Sequence, residues 1–333
     1  MSEFHIACAS DKNYTLGITI SVVSALHFLA KDRVPVVHVL DMGIPDKAFE
    51  IFCQTQKRCR ADAQILRHKI SNDLFKDYPK WFGSIAVYAR VMLPALLPGV
   101  KWCVYADGDT LYLNDPSLLE RFSDERKLLY AQKLSLGFSD NLKEFRWFES
   151  EGLEIDREHY FLSGFLWMNL AKMREFGMIE KVMDFLGKHP SNPVSDQVAL
   201  NYVCQGAVGI LPSAWNFITL EYSLYPQMSP CVAHFCADLP WRRPLRRQLV
   251  TDLVHLWYRI GERYYPQNLM LKTITMKPHE YRYKRLVFLI MSRLPHWFYR
   301  LNGRTRAWYP LFTGRVPKAD WKRIENSFKE SRK

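Results

Sequence analysis

The sequence predicts an α/β fold with a mostly parallel central sheet that is covered by helices on both faces. Over the first half of its 333 residues, short β-branched segments alternate with longer segments of helical pattern. Strands that alternate with helices are joined by right-handed crossovers, which leaves neighbouring strands parallel. Hydrophobic residues make up 48% of the chain and charged residues 24%, so the chain can bury a full core. This composition excludes the disordered, collagen-like and disulfide-stapled classes.

The first half supplies the elements of this sheet in order. Strands are predicted at residues 4–9, 34–40, 63–70 and 102–106, and helices at residues 16–30, 45–58 and 85–97, the last interrupted near Pro94. Pro45 suits a first helical turn, where its missing amide hydrogen is not needed. The stretch 13–30 lacks charge but contains several polar side chains, so it predicts a buried helix rather than a membrane span.

The second half is less regular. We predict strands at residues 160–169, 207–211 and 231–235, and a helix at residues 196–203. Ser195 is the predicted N-cap of that helix. Because the alternation stops after Pro240, we place a boundary there, with an α/β domain over residues 1–241 and a mainly helical region over residues 242–333.

The region 242–333 is basic and rich in aromatic residues. It contains 22 Lys and Arg against 6 Asp and Glu, a net charge of +16, whereas residues 1–241 carry a net charge of −4. Its 15 aromatic residues are interleaved with the basic ones. This pattern is typical of three structures: a surface that binds an anionic membrane, a surface that binds nucleic acid, and a small helical domain with an aromatic core.

Cysteine usage predicts a cytoplasmic protein. The seven cysteines are an odd number and form no C-x-x-C pair, which favours a reducing compartment. The segment after Met1 lacks the basic start and the cleavage site of a secretory signal.

The motif Asp107-Gly108-Asp109 follows the predicted strand at 102–106 directly. Two carboxylates separated by one residue on a turn can point into one space, and Gly108 permits the tight backbone. Close negative charges are costly unless a cation neutralises them, and Mg²⁺ or Mn²⁺ prefers such oxygen ligands. The alternative is an ordinary β-turn, in which Asp-Gly is frequent.

Six ordered segments extend this interpretation. They are ACASDKNY at 7–14, AVYARVMLPALLP at 86–98, VYADGDTLYLNDP at 104–116, YFLSGFLWMNL at 160–170, SDQVALN at 195–201 and AHFCADLPW at 233–241. In this order and spacing the set resembles glycosyltransferase family 8, above all its bacterial lipopolysaccharide and lipooligosaccharide galactosyl- and glucosyltransferases. The resemblance implies a GT-A fold, which is Rossmann-like, a uridine diphosphate (UDP) sugar donor, Mn²⁺ or Mg²⁺ as cofactor, and retention of anomeric configuration.

The resemblance also implies a metal site and a nucleotide site. Asp107 and Asp109 would hold the metal with His234, whose neutral imidazole suits Mn²⁺. Without the resemblance, the apolar strand around His234 favours a core histidine. The segment that receives the uridine would contain Ala9, Asp11, Asn13 and Tyr14, and Gly108 of the Asp-Gly-Asp turn would also contact the donor. Asp11 could accept from the uracil N–H while Tyr14 packs on the base, and Ser10 or Asp11 could also cap the following helix.

Three further residues are implied beside the donor. Arg90 would bind phosphate or sugar hydroxyls, although taken alone it could be a solvated charge on a helix face. Asp196 would bind sugar hydroxyls, and Gln197 would lie near the anomeric carbon. The sequence departs from the family at Leu162, where an Asn is frequent, and near Leu239, where a Lys usually precedes Pro-Trp.

The expected activity is transfer of a hexose, galactose or glucose, from a UDP-sugar to a saccharide or lipid-linked saccharide acceptor in bacterial surface-glycan assembly. With the basic region on an anionic membrane surface, the expected location is the cytoplasmic face of the bacterial inner membrane, and nucleic acid is not an expected partner. Two alternatives remain: a soluble retaining glycosyltransferase acting on a protein, polyol or storage glycan, and a non-catalytic basic membrane- or nucleic-acid-binding module with a degenerate sugar-nucleotide pocket.

Overall fold

The computed structural model of the protein describes residues 2–81, 83–134, 143–218, 230–236, 239–241 and 252–266. The strands are β1 (Ser2–Ser10), β2 (Arg33–Asp41), β3 (Gln64–Lys69), β4 (Trp102–Ala106), β5 (Thr110–Tyr112), β6 (Leu129–Lys133), β7 (Phe161–Asn169), β8 (Val208–Leu211), β9 (Phe217–Ile218) and β10 (Val232–His234). The α-helices are α1 (Thr15–Phe28), α2 (Asp46–Cys59), α3 (Leu93–Leu96), α4 (Lys143–Ser150), α5 (Leu170–Phe176), α6 (Met178–Lys188), α7 (Ser195–Cys204) and α8 (Asp252–Tyr264).

The central sheet has seven strands in the order β3-β2-β1-β4-β7-β6-β8. Parallel pairs join β3, β2, β1 and β4, and also β6 and β8, whereas β7 is antiparallel to both of its neighbours. A smaller sheet has the order β5-β10-β9. The predicted mixed α/β fold with a mostly parallel sheet is therefore confirmed, and the antiparallel β7 and the small sheet are additions to it.

Two local predictions are wrong. The predicted helix at 85–97 is a 3₁₀-helix over Ala86–Met92 followed by the short α3, and Pro94 lies in the first turn of α3 rather than interrupting a longer helix. Ser195 does not cap α7: it is the first helical residue, with φ of +44°, and the N-cap is Val194.

Helix α1 explains the charge-free stretch near the beginning of the chain. Every residue from Thr15 to Leu26 is buried, because α1 lies between the central sheet and a second apolar layer. Its polar side chains are satisfied locally: the Thr19 hydroxyl donates to the Thr15 carbonyl at 2.6 Å, and the Ser24 hydroxyl to the Ser21 carbonyl at 2.6 Å. The interpretation as a buried helix is confirmed.

Helix α8 supplies part of that second layer. Leu256, Trp257 and Ile260 are fully buried and pack with residues of α1 such as Ile20. The described part of the basic region, which lies beyond the predicted boundary at 241, therefore packs on the α/β unit through an aromatic and aliphatic face. The prediction of a mainly helical region otherwise falls on residues 242–251 and 267–333, which lie outside the described residues.

Three histidines form a ladder across neighbouring strands of the sheet. Nδ1 of His5 lies 3.1 Å from Nε2 of His38, and Nδ1 of His38 lies 3.1 Å from Nε2 of His68. His38 is 2% exposed, and this burial, with the two neighbouring imidazoles, lowers its pKa to about 3. The folded protein therefore holds this imidazole neutral at physiological pH.

We expect the ladder to make the protein sensitive to acid. An unfolded chain protonates His38 near its ordinary pKa of 6.5, so between that pH and about 3 the unfolded state binds more protons than the folded state. The contribution of neutral His38 to the free energy of unfolding is fully present above pH 6.5. As the pH drops below 6.5, this contribution decreases by up to about 1.4 kcal/mol per pH unit. Urea unfolding between pH 7.5 and 4.5 should show a shallower pH dependence for His38→Gln than for the wild type. The exposed His159 is the control, and an equal flattening by His159→Gln would contradict the assignment.

Candidate active site

A cleft of about 340 Å³ opens at the carboxyl ends of β1 and β4, the edge at which parallel sheets place their ligands. Its walls come from both halves of the chain. The predicted site residues that line it are Ala9, Tyr14, Arg90, Asp107, Gly108, Asp109, Asp196, Gln197 and His234. The structure therefore brings these nine residues together around one space.

The Asp-Gly-Asp turn is fixed at the floor of this cleft. The backbone N–H of Asp107 donates to the carbonyl of Gly164 on β7 at 2.8 Å, and the Thr110 hydroxyl donates to the carbonyl of Asp107 at 2.8 Å. A side chain at Gly108 would meet Cγ2 of Ile18 on α1 at 2.9 Å. The turn thus requires glycine because helix α1 approaches it so closely.

His234 lies on β10 of the small sheet and faces the carboxylates of Asp107 and Asp109. Its Nε2 lies 3.2 Å from Oδ1 of Asp109, while its Nδ1 lies 2.9 Å from Oδ1 of Asn216. Since the amide oxygen can only accept, Nδ1 donates to Asn216, and this contact directs Nε2 at the carboxylates. His234 is buried, but it is directed at Asp107 and Asp109 rather than at an apolar core.

The three side chains fit a divalent cation. One ligand atom each from Asp107, Asp109 and His234 all lie within 4.8 Å of one another. A Cβ at Gly164 would lie 3.0 Å from Oδ2 of Asp107 and would also clash with the His234 ring, so glycine keeps this space open. Burial raises the pKa of Asp107. The negative charge of Asp109 raises this pKa further, whereas the positive charge of Arg90 lowers it. Crowded oxygen donors with an oriented imidazole are a set that Mn²⁺ or Mg²⁺ accepts.

Arg90 is buried at the back of the cleft, and the alternative of a solvated surface charge is wrong. It is 1% exposed; its Nη2 lies 2.7 Å from Oδ1 of Asp107 and its Nε 3.2 Å from Oδ2 of Asp196. Its Nη1 donates to the carbonyl of Ser163, and its guanidinium lies 4.4 Å from the centre of the Tyr105 ring. Arg90 therefore connects the metal-site carboxylates to α7 and β7.

Asp196 and Gln197 enter the cleft from the first turn of α7. Burial raises the pKa of Asp196 to about 6, although the ion pair with Arg90 opposes that effect. Oε1 of Gln197 accepts from the backbone N–H of Ser163 at 3.2 Å, which fixes the amide at the cleft wall.

The predicted nucleotide segment is placed at the rim. Ala9 and Tyr14 line the cleft, whereas Asp11 and Asn13 do not. Oδ1 of Asp11 accepts from the Asn13 N–H at 2.7 Å, before the helix begins. The N-cap of α1 is Tyr14, without a side-chain cap, so the alternative that Ser10 or Asp11 caps α1 is wrong.

Several residues around the cleft were not anticipated. Asn216 orients His234, and the lining also includes Trp81, Ser84, Lys143, Glu144 and Val194. They lie outside the six recognised segments, and nothing in their local sequence indicates a site.

Comparison with known proteins is consistent with this geometry. A family model described as Glycosyl transferase family 8 matches residues 5–244. General stress protein A of Bacillus subtilis is 25% identical over 289 residues, which cover 77% of this chain and 96% of that protein. A putative glycosyltransferase of Haemophilus influenzae is 27% identical over 242 residues, covering 70% of this chain and 71% of that protein.

Solved structures share the fold. A galactosyltransferase, LgtC, solved with donor and acceptor sugar analogues, has a TM-score of 0.64 at 22% identity, covering 85% of this chain and 100% of that chain. The bifunctional glycosyltransferase WbbM has a TM-score of 0.62 at 18% identity, covering 85% of this chain and 52% of that chain. At these identities the likeness establishes a common GT-A architecture.

Proposed function

Because the chain belongs to glycosyltransferase family 8, we propose that it transfers a hexose from a UDP-sugar to a saccharide acceptor with retention of configuration. The observation that carries this proposal is the juxtaposition, in one cleft, of the Asp107, Asp109 and His234 cluster with Asp196 and Gln197. The first three residues suit a metal-bound diphosphate, and the other two lie where the attached sugar would be.

Each side chain then has a distinct role. Asp107, Asp109 and His234 would hold Mn²⁺ or Mg²⁺, which when bound neutralises the negative charge of the leaving diphosphate. Arg90 fixes Asp107 and Asp196 in place, since its donors are directed at protein groups. Asp196 accepts hydrogen bonds from sugar hydroxyls. Ala9 and Tyr14 would receive the uridine, with Asp11 and Asn13 at the rim.

Gln197 is not assigned covalent catalysis because an amide is a poor nucleophile. We propose instead that the acceptor hydroxyl attacks C1 of the hexose from the face that the UDP leaves. The C1–O bond to the diphosphate breaks, the new glycosidic bond forms, and the acceptor proton passes to the leaving phosphate. A double displacement would require a carboxylate nucleophile at the opposite face.

A donor screen with product analysis tests this function. Purified protein with Mn²⁺ should slowly hydrolyse one of UDP-galactose, UDP-glucose or their N-acetyl forms, and NMR should show the α-anomer as the first product. A first-formed β-anomer would refute retention. Protein that binds UDP but turns over none of these donors, with or without saccharides, would instead favour the non-catalytic alternative.

We also propose that region 242–333 attaches the catalytic unit to an anionic membrane surface, where a lipid-linked acceptor for surface-glycan assembly would be located. The support is its net charge of +16 with interleaved aromatic residues. Within the described part of the chain, none of the helices is both long and apolar enough to span a bilayer. The residues that would make the contact lie largely outside the described residues.

A charge-neutralised variant provides the test. Changing Arg282, Lys284 and Arg285 to Gln should weaken sedimentation with phosphatidylglycerol vesicles on the order of 100-fold at low salt, since each basic residue near the surface contributes about 1 kcal/mol. Added salt should weaken wild-type binding as well. The control changes three exposed lysines of the α/β unit, Lys31, Lys47 and Lys57, to Gln. Equal losses in both variants, or RNA that outcompetes the vesicles, would contradict the proposal.

A further inference from the structure

The wall of the cleft carries an acidic side chain that none of the roles above uses. Glu144 is the second residue of α4, lines the cleft, and is only 6% exposed. Among the described residues, none donates a hydrogen bond to its Oε2. A buried carboxylate oxygen without a donor is unfavourable, and because the Glu144 side chain lines the cleft, a bound ligand is one group that can supply the missing hydrogen bond.

Glu144 shares its surroundings with Gln197. Both side chains act on the buried hydroxyl of Tyr160: burial raises the pKa of Tyr160 and the charge of Glu144 raises it further, whereas the neighbouring Gln197 amide lowers it. Glu144 therefore lines the same cleft as Gln197, which the proposed function places nearest the anomeric carbon, and both lie close enough to Tyr160 to act on its hydroxyl.

Lys143, the cation next to Glu144 in the sequence, makes its contacts with other groups. Its Nζ donates to the carbonyl of Pro193 at 2.9 Å and lies 5.0 Å from the centre of the Trp81 ring. The lining of the cleft also includes Trp81 and Leu162, an aromatic and an aliphatic side chain. A carboxylate acceptor set in an apolar and aromatic wall suits a sugar, which offers hydroxyl donors and apolar C–H faces.

We propose that Glu144 accepts a hydrogen bond from a hydroxyl of the donor hexose and thereby selects the donor sugar. The inference rests on the proposed function, because it requires a UDP-hexose in this cleft. The donor is favoured over the acceptor because Glu144 is only 6% exposed and lines the same cleft as Asp196 and Gln197, where the donor sugar is proposed to lie. A cation is not favoured, since Glu144 is absent from the ligand cluster formed by the described residues.

Binding of deoxygenated donors tests this assignment. We would titrate UDP, the accepted UDP-hexose and its 2-, 3-, 4- and 6-deoxy analogues into wild type and Glu144→Ala with Mn²⁺, using calorimetry. Wild type should bind one deoxy analogue about 10- to 100-fold more weakly than the parent donor, as expected for a hydrogen bond to a charged group. Glu144→Ala should bind the parent donor as weakly as that analogue, and its affinity for UDP should be unchanged.

Two further variants separate recognition from structure. Glu144→Gln keeps the side-chain size, and it should fold and show an intermediate loss for the parent donor. Glu149→Ala changes an exposed glutamate of the same helix, which pairs with Arg157, and should leave every affinity unchanged.

The outcomes also separate this inference from the function on which it rests. The assignment of Glu144 is overturned if Glu144→Ala and Glu144→Gln discriminate against every deoxy analogue as the wild type does. It is also overturned if both variants lose affinity for UDP in parallel with affinity for the donor. In either case the proposed function stands. If wild-type protein binds neither UDP nor any UDP-hexose, the proposed function is refuted, and the role of Glu144 with it.

Discussion

We expect Asp109→Asn to lower the donor turnover rate about a thousandfold without unfolding the protein. Asp109 is buried in a turn after β4, where its carboxylate lies 3.2 Å from Nε2 of His234. The amide has the same size but no charge, so the divalent site loses one of its two anionic ligands. Removing one group that stabilises the developing charge lowers the rate about 10²- to 10³-fold. Weaker metal binding adds to this loss.

The measurement is UDP release from the accepted UDP-hexose with saturating Mn²⁺, with thermal unfolding as the check on folding. Asp124→Asn is the matched control, because Asp124 is a partly exposed turn residue paired with Arg126. Turnover by Asp109→Asn within a few-fold of the control would contradict the metal assignment.

Among single substitutions in the site, we expect Arg90→Met to lower the free energy of unfolding most. Arg90 is fully enclosed and pairs with both Asp107 and Asp196. Removing a buried partner leaves uncompensated carboxylates, which costs about 3–5 kcal/mol of unfolding free energy. Asp107 and Asp196 would then take up protons at higher pH, because the cation that lowers their pKa values is gone.

Urea unfolding at pH 7.5 measures this loss. Arg126→Met, which breaks the exposed pair with Asp124, should leave the free energy of unfolding close to the wild-type value. An Arg90→Met variant as stable as Arg126→Met would show that the buried network contributes nothing to the fold.

The grouping of Asp107, Asp109 and His234 was predictable from sequence because the Asp-Gly-Asp turn has a local signal and the family segments are ordered along the chain. The strand before Asp107 is continuously apolar, so its end and the carboxyl edge of the sheet follow from hydrophobic pattern. The alternation of strands and helices similarly indicates the parallel part of the sheet. The antiparallel β7 could not be predicted, because strand direction depends on pairing partners far apart in the chain.

Burial of polar residues was the main feature that local sequence could not show. Arg90 occupies a short 3₁₀-helix whose pattern allows solvent exposure, and its partners lie 17 and 106 residues away. Asn216 reaches His234 from 18 residues away in the chain, and Glu144 lines the cleft from a segment outside the recognised motifs. In the basic region, charge conceals an apolar face: Leu253, Trp257 and Ile260 have helical spacing, but the surrounding Arg and Lys dominate the composition.

The central claim is that Asp107, Asp109 and His234 hold a divalent cation through which the diphosphate of the donor binds. Calorimetric titration of UDP into wild-type protein, in Mn²⁺ and in EDTA, tests it most directly. We expect Mn²⁺ to lower the Kd for UDP at least about 100-fold, or about 2.7 kcal/mol, and His234→Ala to remove most of that gain. Equal UDP affinity in Mn²⁺ and in EDTA would contradict the claim.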